Sequence, residues 1–119
     1  MIINQRGAVS AYFVFEDIYK QKMRPATALK VFQLRQELKN QYNFQVEQEK
    51  IILEKHHGTI DQSGNIAFST KEDYTAAEKD MEDLAKQEVS IHADPIDLLK
   101  EDILISPENI QQIQPFIIL

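Results

Sequence analysis

Residues 24–58 read RPATALKVFQLRQELKNQYNFQVEQEKIILEKHHG. Between Ala26 and His56 there is neither glycine nor proline, and the good helix formers Gln, Glu, Lys, Leu and Ala predominate. Val31, Leu34, Leu38, Tyr42, Val46 and Leu53 recur at steps of three, four and seven, which strings them along one helical face. Arg24-Pro25 supplies the start, because proline suits the first helical turn and turns the residue before it away from helix. Gly58 supplies the stop, as a residue at ease in the left-handed conformation. The result is a helix of about 30 residues, roughly 45 Å at 1.5 Å per residue. That is long for a small domain, so part of it either projects or pairs with another copy.

Working outward, residues 8–23 form an earlier helix. Ala8, Ala11, Tyr12, Phe15, Ile18, Tyr19 and Met23 share one face, while Val9, Phe13 and Val14 lie off it. A helix apolar nearly all round at its start is covered on several sides. Beyond Gly58, Thr59-Ile60-Asp61 and Ile66-Ala67-Phe68 flank Gln62-Ser63-Gly64-Asn65, which reads as a β-hairpin. Ser69 and Glu72 have capping-box spacing and open an acidic helix whose buried stripe is Tyr74, Ala77, Met81 and Leu84. Val89-Ser90-Ile91-His92 alternates and reads as a third strand beside the hairpin. Asp94-Pro95 and Ser106-Pro107 each read as an N-cap followed by proline, opening short helices over 95–101 and 107–114, the second closed by Pro115. The apolar end Phe116-Ile117-Ile118-Leu119 is packed on the core or held by another subunit.

The fold expected is α+β in one domain over 1–119, helical over 1–57 and mixed over 58–119. It has N-terminal helices including one long helix, a small antiparallel sheet of about three strands, and short C-terminal helices. The long and acidic helices are expected to cover one face of the sheet.

Charge divides the 119-residue chain unevenly: residues 1–58 carry a net +3 and residues 59–119 a net −9, for an overall −6. The absence of cysteine excludes disulfides and thiolate metal sites and suits a cytoplasmic protein. No run approaches the roughly 18 apolar residues of a membrane span. The first residues lack the basic start and apolar run of a signal peptide. The chain is therefore read as soluble and intracellular, without membrane contact.

Each candidate chemistry meets a plainer reading. His56, His57 and His92, with Asp61 or Asp94, are metal-ligand types. Adjacent helical histidines diverge by about 100°, however, and there is no His pair at i, i+4. A role at the helix C-terminus suits His56 and His57 better. Asp61–Asn65 resembles the start of a calcium loop, but the sixth position is Ile66 where glycine is required. With three glycines in all, there is no phosphate-binding loop, and the carboxylate pairs Glu72-Asp73 and Glu82-Asp83 lie on an exposed helix. No catalytic residue, metal or cofactor is assigned.

The basic stretch Lys20, Lys22, Arg24, Lys30, Arg35 and Lys39 is a phosphate-binding candidate. Its nearby aromatics, Tyr19 and Phe32, fit helix stripes, and the acidic helix offers an internal partner, so nucleic-acid binding is not favoured.

The order of elements over Leu29–Leu119 resembles a set of short proteins of tailed phages and prophages. The resemblance is carried by the helix from Leu34-Arg35-Gln36-Glu37-Leu38 to Lys55, the hairpin Gly58–Phe68 and the acidic helix. Glu88-Val89-Ser90-Ile91, Ile103–Ile110 and Pro115-Phe116-Ile117 complete it. Residues 1–28 lie outside it. It implies a non-enzymatic accessory or virion-assembly protein, in the host cytoplasm or in the virion, and transfers no catalytic residue. The expected partner is a protein, a second copy included. The expected contact surfaces are Tyr12, Phe13, Phe15 and Tyr19 on the first helix and Phe116, Ile117 and Ile118 in the tail. The alternative is an inhibitor whose acidic face, Asp73, Asp80 and Asp83, imitates a phosphate backbone and blocks a nucleic-acid-binding protein. Direct nucleic-acid binding through Lys20–Lys39 is a third reading.

Overall fold

Asn4 begins the helical part of the chain: its Oδ1 accepts the Gly7 amide at 2.7 Å. In this computed structural model, which describes residues 1–118, helix α1 therefore spans Gln5–Tyr19 and starts three residues earlier than the apolar stripe indicates. A short turn leads into α2, Pro25–Lys55, the 31-residue helix expected from the sequence. α1 lies antiparallel along the first half of α2. Val31, Leu34 and Leu38 are at most 1% exposed there, against Ala8, Ala11, Phe15 and Ile18.

Gly58 is not the left-handed residue that ends α2. His57 takes that conformation (φ 58°), and Gly58 opens strand β2, Gly58–Ile60. Glycine is needed there for close approach: a Cβ would come within 2.8 Å of Leu53 Cδ2 and 2.9 Å of the Phe68 ring. β2 pairs antiparallel with β3, Ile66–Phe68, as the expected hairpin, with Gly58 opposite Phe68 and Ile60 opposite Ile66. Gly64 takes φ 83° in the turn, and Asp61 Oδ1 accepts the amides of Ser63 and Asn65.

Helix α3, Lys71–Lys86, is capped by Thr70, one residue later than expected. The Thr70 hydroxyl accepts the Asp73 amide, so the Ser69/Glu72 capping box does not form. Ala77 and Leu84 are its buried residues; Met81 is half-buried, while Tyr74 is exposed and edges onto the Phe68 ring. α3 runs back along α2, from His57–Asp73 at the tip towards Ile52 and Leu84 nearer the middle.

That return explains the largest departure from the expected sheet. Sixteen helical residues carry the chain about 24 Å away from the hairpin. β4, Glu88–Ser90, therefore pairs antiparallel with β1, Ile2–Asn4, and not with β3. Met1 extends the pairing, exchanging backbone hydrogen bonds with Ile91. β5, Ile96–Asp97, pairs in parallel with β6, Ile117–Ile118. The described residues thus hold three separate two-stranded ribbons, not one three-stranded sheet under two helices.

No helix forms over 95–101. Ile96 and Leu98 are buried while Asp97 is exposed, which is strand alternation, and Asp97 Oδ1 accepts the Leu99 amide to turn the chain. α4 spans Pro107–Ile113, capped by Ser106, and Pro115 lies in a 3₁₀ turn, Gln114–Phe116. From β4 onward the chain runs back along α2: the His92 amide meets Glu37, and Glu101 meets Arg24 and Thr27. The molecule measures 53 × 30 × 22 Å with a radius of gyration of 17.0 Å. A compact chain of this length would have about 13.5 Å. α2 is the reason for the excess.

Candidate protein interface

The α1–α2 hairpin builds one side of the molecule from two helical stripes. Tyr12, Phe13, Glu16 and Tyr19 come from α1, and Phe32, Arg35 and Tyr42 from α2. Because the helices are antiparallel, the stripes meet in order. At one end Tyr12 stacks on Tyr42 (ring centres 5.0 Å apart) and Phe13 sets its edge against Tyr42 at 5.3 Å. In the middle Arg35 Nη2 lies 2.7 Å from Glu16 Oε1, and the Tyr12 hydroxyl donates to the same oxygen at 2.6 Å. At the other end the Arg35 guanidinium sits 4.5 Å from the Tyr19 ring centre, with Phe32 beside Tyr19 at 6.3 Å.

The polar centre is satisfied. The Tyr12 hydroxyl, followed by Arg35, holds the Glu16 carboxyl below the usual range, and the same bond to Glu16 pushes the Tyr12 phenol up. The ionic pair fixes both rotamers and leaves three rings beside it in solvent: Phe13 at 53% exposure, Tyr19 at 42% and Phe32 at 43%. Exposed Phe and Tyr beside an Arg is the composition of interface hot spots.

The seven residues expected to make contacts therefore divide. Phe13, Tyr19 and Ile118 are exposed. Tyr12, Phe15, Phe116 and Ile117 are buried in the chain's own core and offer no surface. Phe15 meets Phe116 edge-on at 6.1 Å, so the apolar end is core at these positions. Leu119 lies outside the described residues. Phe32, Arg35 and Tyr42 were not expected as partners of α1. Tyr42 lies on the apolar stripe of α2, and Phe32 and Arg35, three residues apart, lie at its edge.

The acidic face is largely engaged at home. Asp80 Oδ2 is 2.7 Å from His56 Nε2 and 3.3 Å from Lys55 Nζ, and Asp73 is 3.6 Å from His57. The hydrogen bond from His56, then that from Lys55, holds the Asp80 carboxyl below its ordinary range. Asp83 is exposed. The basic stretch does not pair with the acidic helix: Arg24 bonds Glu101, and Arg35 bonds Glu16. Thr27 and Arg24 together hold the Glu101 carboxyl low. Among the described residues no group of three His, Asp or Glu side chains is arranged to hold a metal ion. No described helix is long and apolar enough to cross a membrane. Comparison with protein families, with curated proteins and with solved structures finds no match to this chain.

Proposed function

We propose that this chain is a non-enzymatic accessory or assembly protein of the phage type. It works by contact, and its first partner is a second copy bound through the α1–α2 aromatic face. The observation that carries this reading is the row Phe13, Tyr19 and Phe32, left in solvent around a fixed Glu16–Arg35 pair. An aromatic side chain buries about 150–250 Å² in full, so these three rings hold back roughly 250–300 Å² per protomer. That is about a third of the ~800 Å² per partner in a standard interface, and the rest comes from their flanks. Two helical hairpins meeting about a two-fold axis form a four-helix arrangement. Asp17 and Lys20, both exposed beside the row, give each copy opposite charges to set against the other.

Glu16, Asp80 and Glu101 are each spent on bonds within the chain. Engagement of Asp80 by His56 and Lys55, and the nearness of His57 to Asp73, weigh against the phosphate-mimic reading. Light scattering on the full chain is expected to give a dimer at micromolar concentration. Replacing Phe13 and Phe32 with serine is expected to raise the dimer Kd at least ~30-fold, which is about 2 kcal/mol. A compact monomer at about 100 μM would refute the reading, since that concentration saturates any micromolar site.

A further inference from the structure

The long helix separates two poles. At the α2 N-terminus, the loop after β5 is tied onto the α1–α2 turn. Gln21 exchanges two hydrogen bonds with the Leu104 backbone, and Glu101 accepts from Arg24 and Thr27. The loop is held, yet Leu104 is 85% exposed and Leu99 65%, with Leu29 exposed on the adjoining helix. Lys22, Lys30 and Lys100 stand exposed around them, and none forms an ion pair among the described residues. Residues 20–30 and 98–105 together carry a net charge of +3.

At the other end, the hairpin overhangs the tip of α2. Phe68 and Gly58 lie on the hairpin face that meets α2 and α3, and Ile60 and Ile66 continue that same face beyond its cover. They are 61% and 52% exposed, directly opposite one another. Glu54 stands exposed in the last turn of α2, Glu78 and Glu82 stand exposed along α3 with Glu82 one turn further from the tip, and residues 54–83 carry a net −5.

Each pole thus joins uncovered aliphatic surface to charge of one sign, and the signs are opposite. We infer that the cationic leucine pole of one copy docks on the anionic isoleucine pole of the next, head to tail. The two surfaces differ, so the contact is heterologous and does not close on itself as a two-fold does. It repeats along the 53 Å axis of the molecule. The inference extends the self-association reading but uses surfaces outside the aromatic face, so the two can fail separately.

Sedimentation velocity on three full-length proteins tests it. In low salt (about 50 mM), where charges are weakly screened, the native chain forms species larger than a dimer, and ~500 mM salt shortens them. Lys22→Glu, Lys30→Glu and Lys100→Glu in one chain make both poles negative. Glu54→Lys, Glu78→Lys and Glu82→Lys in another make both positive. Either triple variant alone is expected to lose end-to-end association at least ~10-fold and stop at the dimer. Mixing the two restores growth. All six positions are exposed, and unchanged circular dichroism confirms folding. Growth by either variant alone, failure of the mixture to recover, or a native chain that never exceeds a dimer would overturn the head-to-tail contact. Phe13→Ser with Phe32→Ser separates the two readings: it removes the two-fold dimer and leaves end-to-end growth intact.

Discussion

The two halves of α2 are one helix in two different situations. Its first half contributes Val31, Leu34 and Leu38 to a buried cluster of sixteen residues drawn from α1, α4, the strands and the C-terminal turn. Its last turns contribute Ile52 to a cluster of three, completed by Ala77 and Leu84, with Phe68 and Met81 half-buried against it. Leu53 is also buried, beside Gly58. The near half is held by apolar burial, with the Glu16–Arg35 and Glu101–Arg24 bonds at its edge. The far half leans on polar contacts: Asp80 to His56 and Lys55, Asp73 to His57, and the Thr70 cap. Local stability follows apolar contact density, so the far half opens at lower free energy than the near half.

The largest effect that would sharpen this contrast comes from Phe116→Ala. It removes a ring 1% exposed from the edge of Phe15 and is expected to destabilise the whole chain by about 3–5 kcal/mol. That is a large part of the 5–15 kcal/mol typical of a domain. Urea melts followed by circular dichroism would show one earlier transition for every helix. A change below about 1 kcal/mol would mean that the C-terminal turn is not core.

Leu84→Ala comes next and should act differently. It opens the three-residue cluster and is expected to cost about 2–3 kcal/mol locally. Hydrogen exchange should quicken over residues 48–86 and stay unchanged at Val31, Leu34 and Leu38. Equal quickening in both halves would erase the distinction.

The smallest effect is that of acid. Glu16, Asp80 and Glu101 all have carboxyls held low by their donors, so each contributes stability above its unfolded-state value. Those values lie at about 4. The contribution is lost as pH falls through and below that range. In the near half apolar burial remains when these bonds go. In the far half only the small cluster of Ile52, Ala77 and Leu84 and the Thr70 cap remain, so amide signals of α3 should broaden first on titration from pH 6 towards about pH 3. Loss of α1 and α3 signals together would contradict the contrast.

How far the sequence reveals this molecule follows the same division. α2 was legible because 31 residues without an internal breaker leave a helix little competition. The hairpin was legible from Gly64 and the Asp61 turn. The place of β4 was not, because its partner is a three-residue strand at the chain's beginning, and local periodicity carries no record of such pairings. Asp94-Pro95 misled because the cap-and-proline signature outweighed the alternation of Ile96, Asp97 and Leu98. At the interface, Phe13 and Tyr19 were legible as aromatic. Tyr12 and Phe15 lie on the stripe that α2 covers and so face the core, and of the two placements open to the apolar end the core takes Phe116 and Ile117, which no local pattern could decide.

The most direct test of the central claim uses isotope-filtered nuclear Overhauser spectra on an equimolar mixture of labelled and unlabelled chains. Ring-to-ring contacts between copies are expected among Phe13, Tyr19 and Phe32, because these rings gain their missing cover from a second α1–α2 face. A mixture in which those rings show contacts only within their own chain would contradict it.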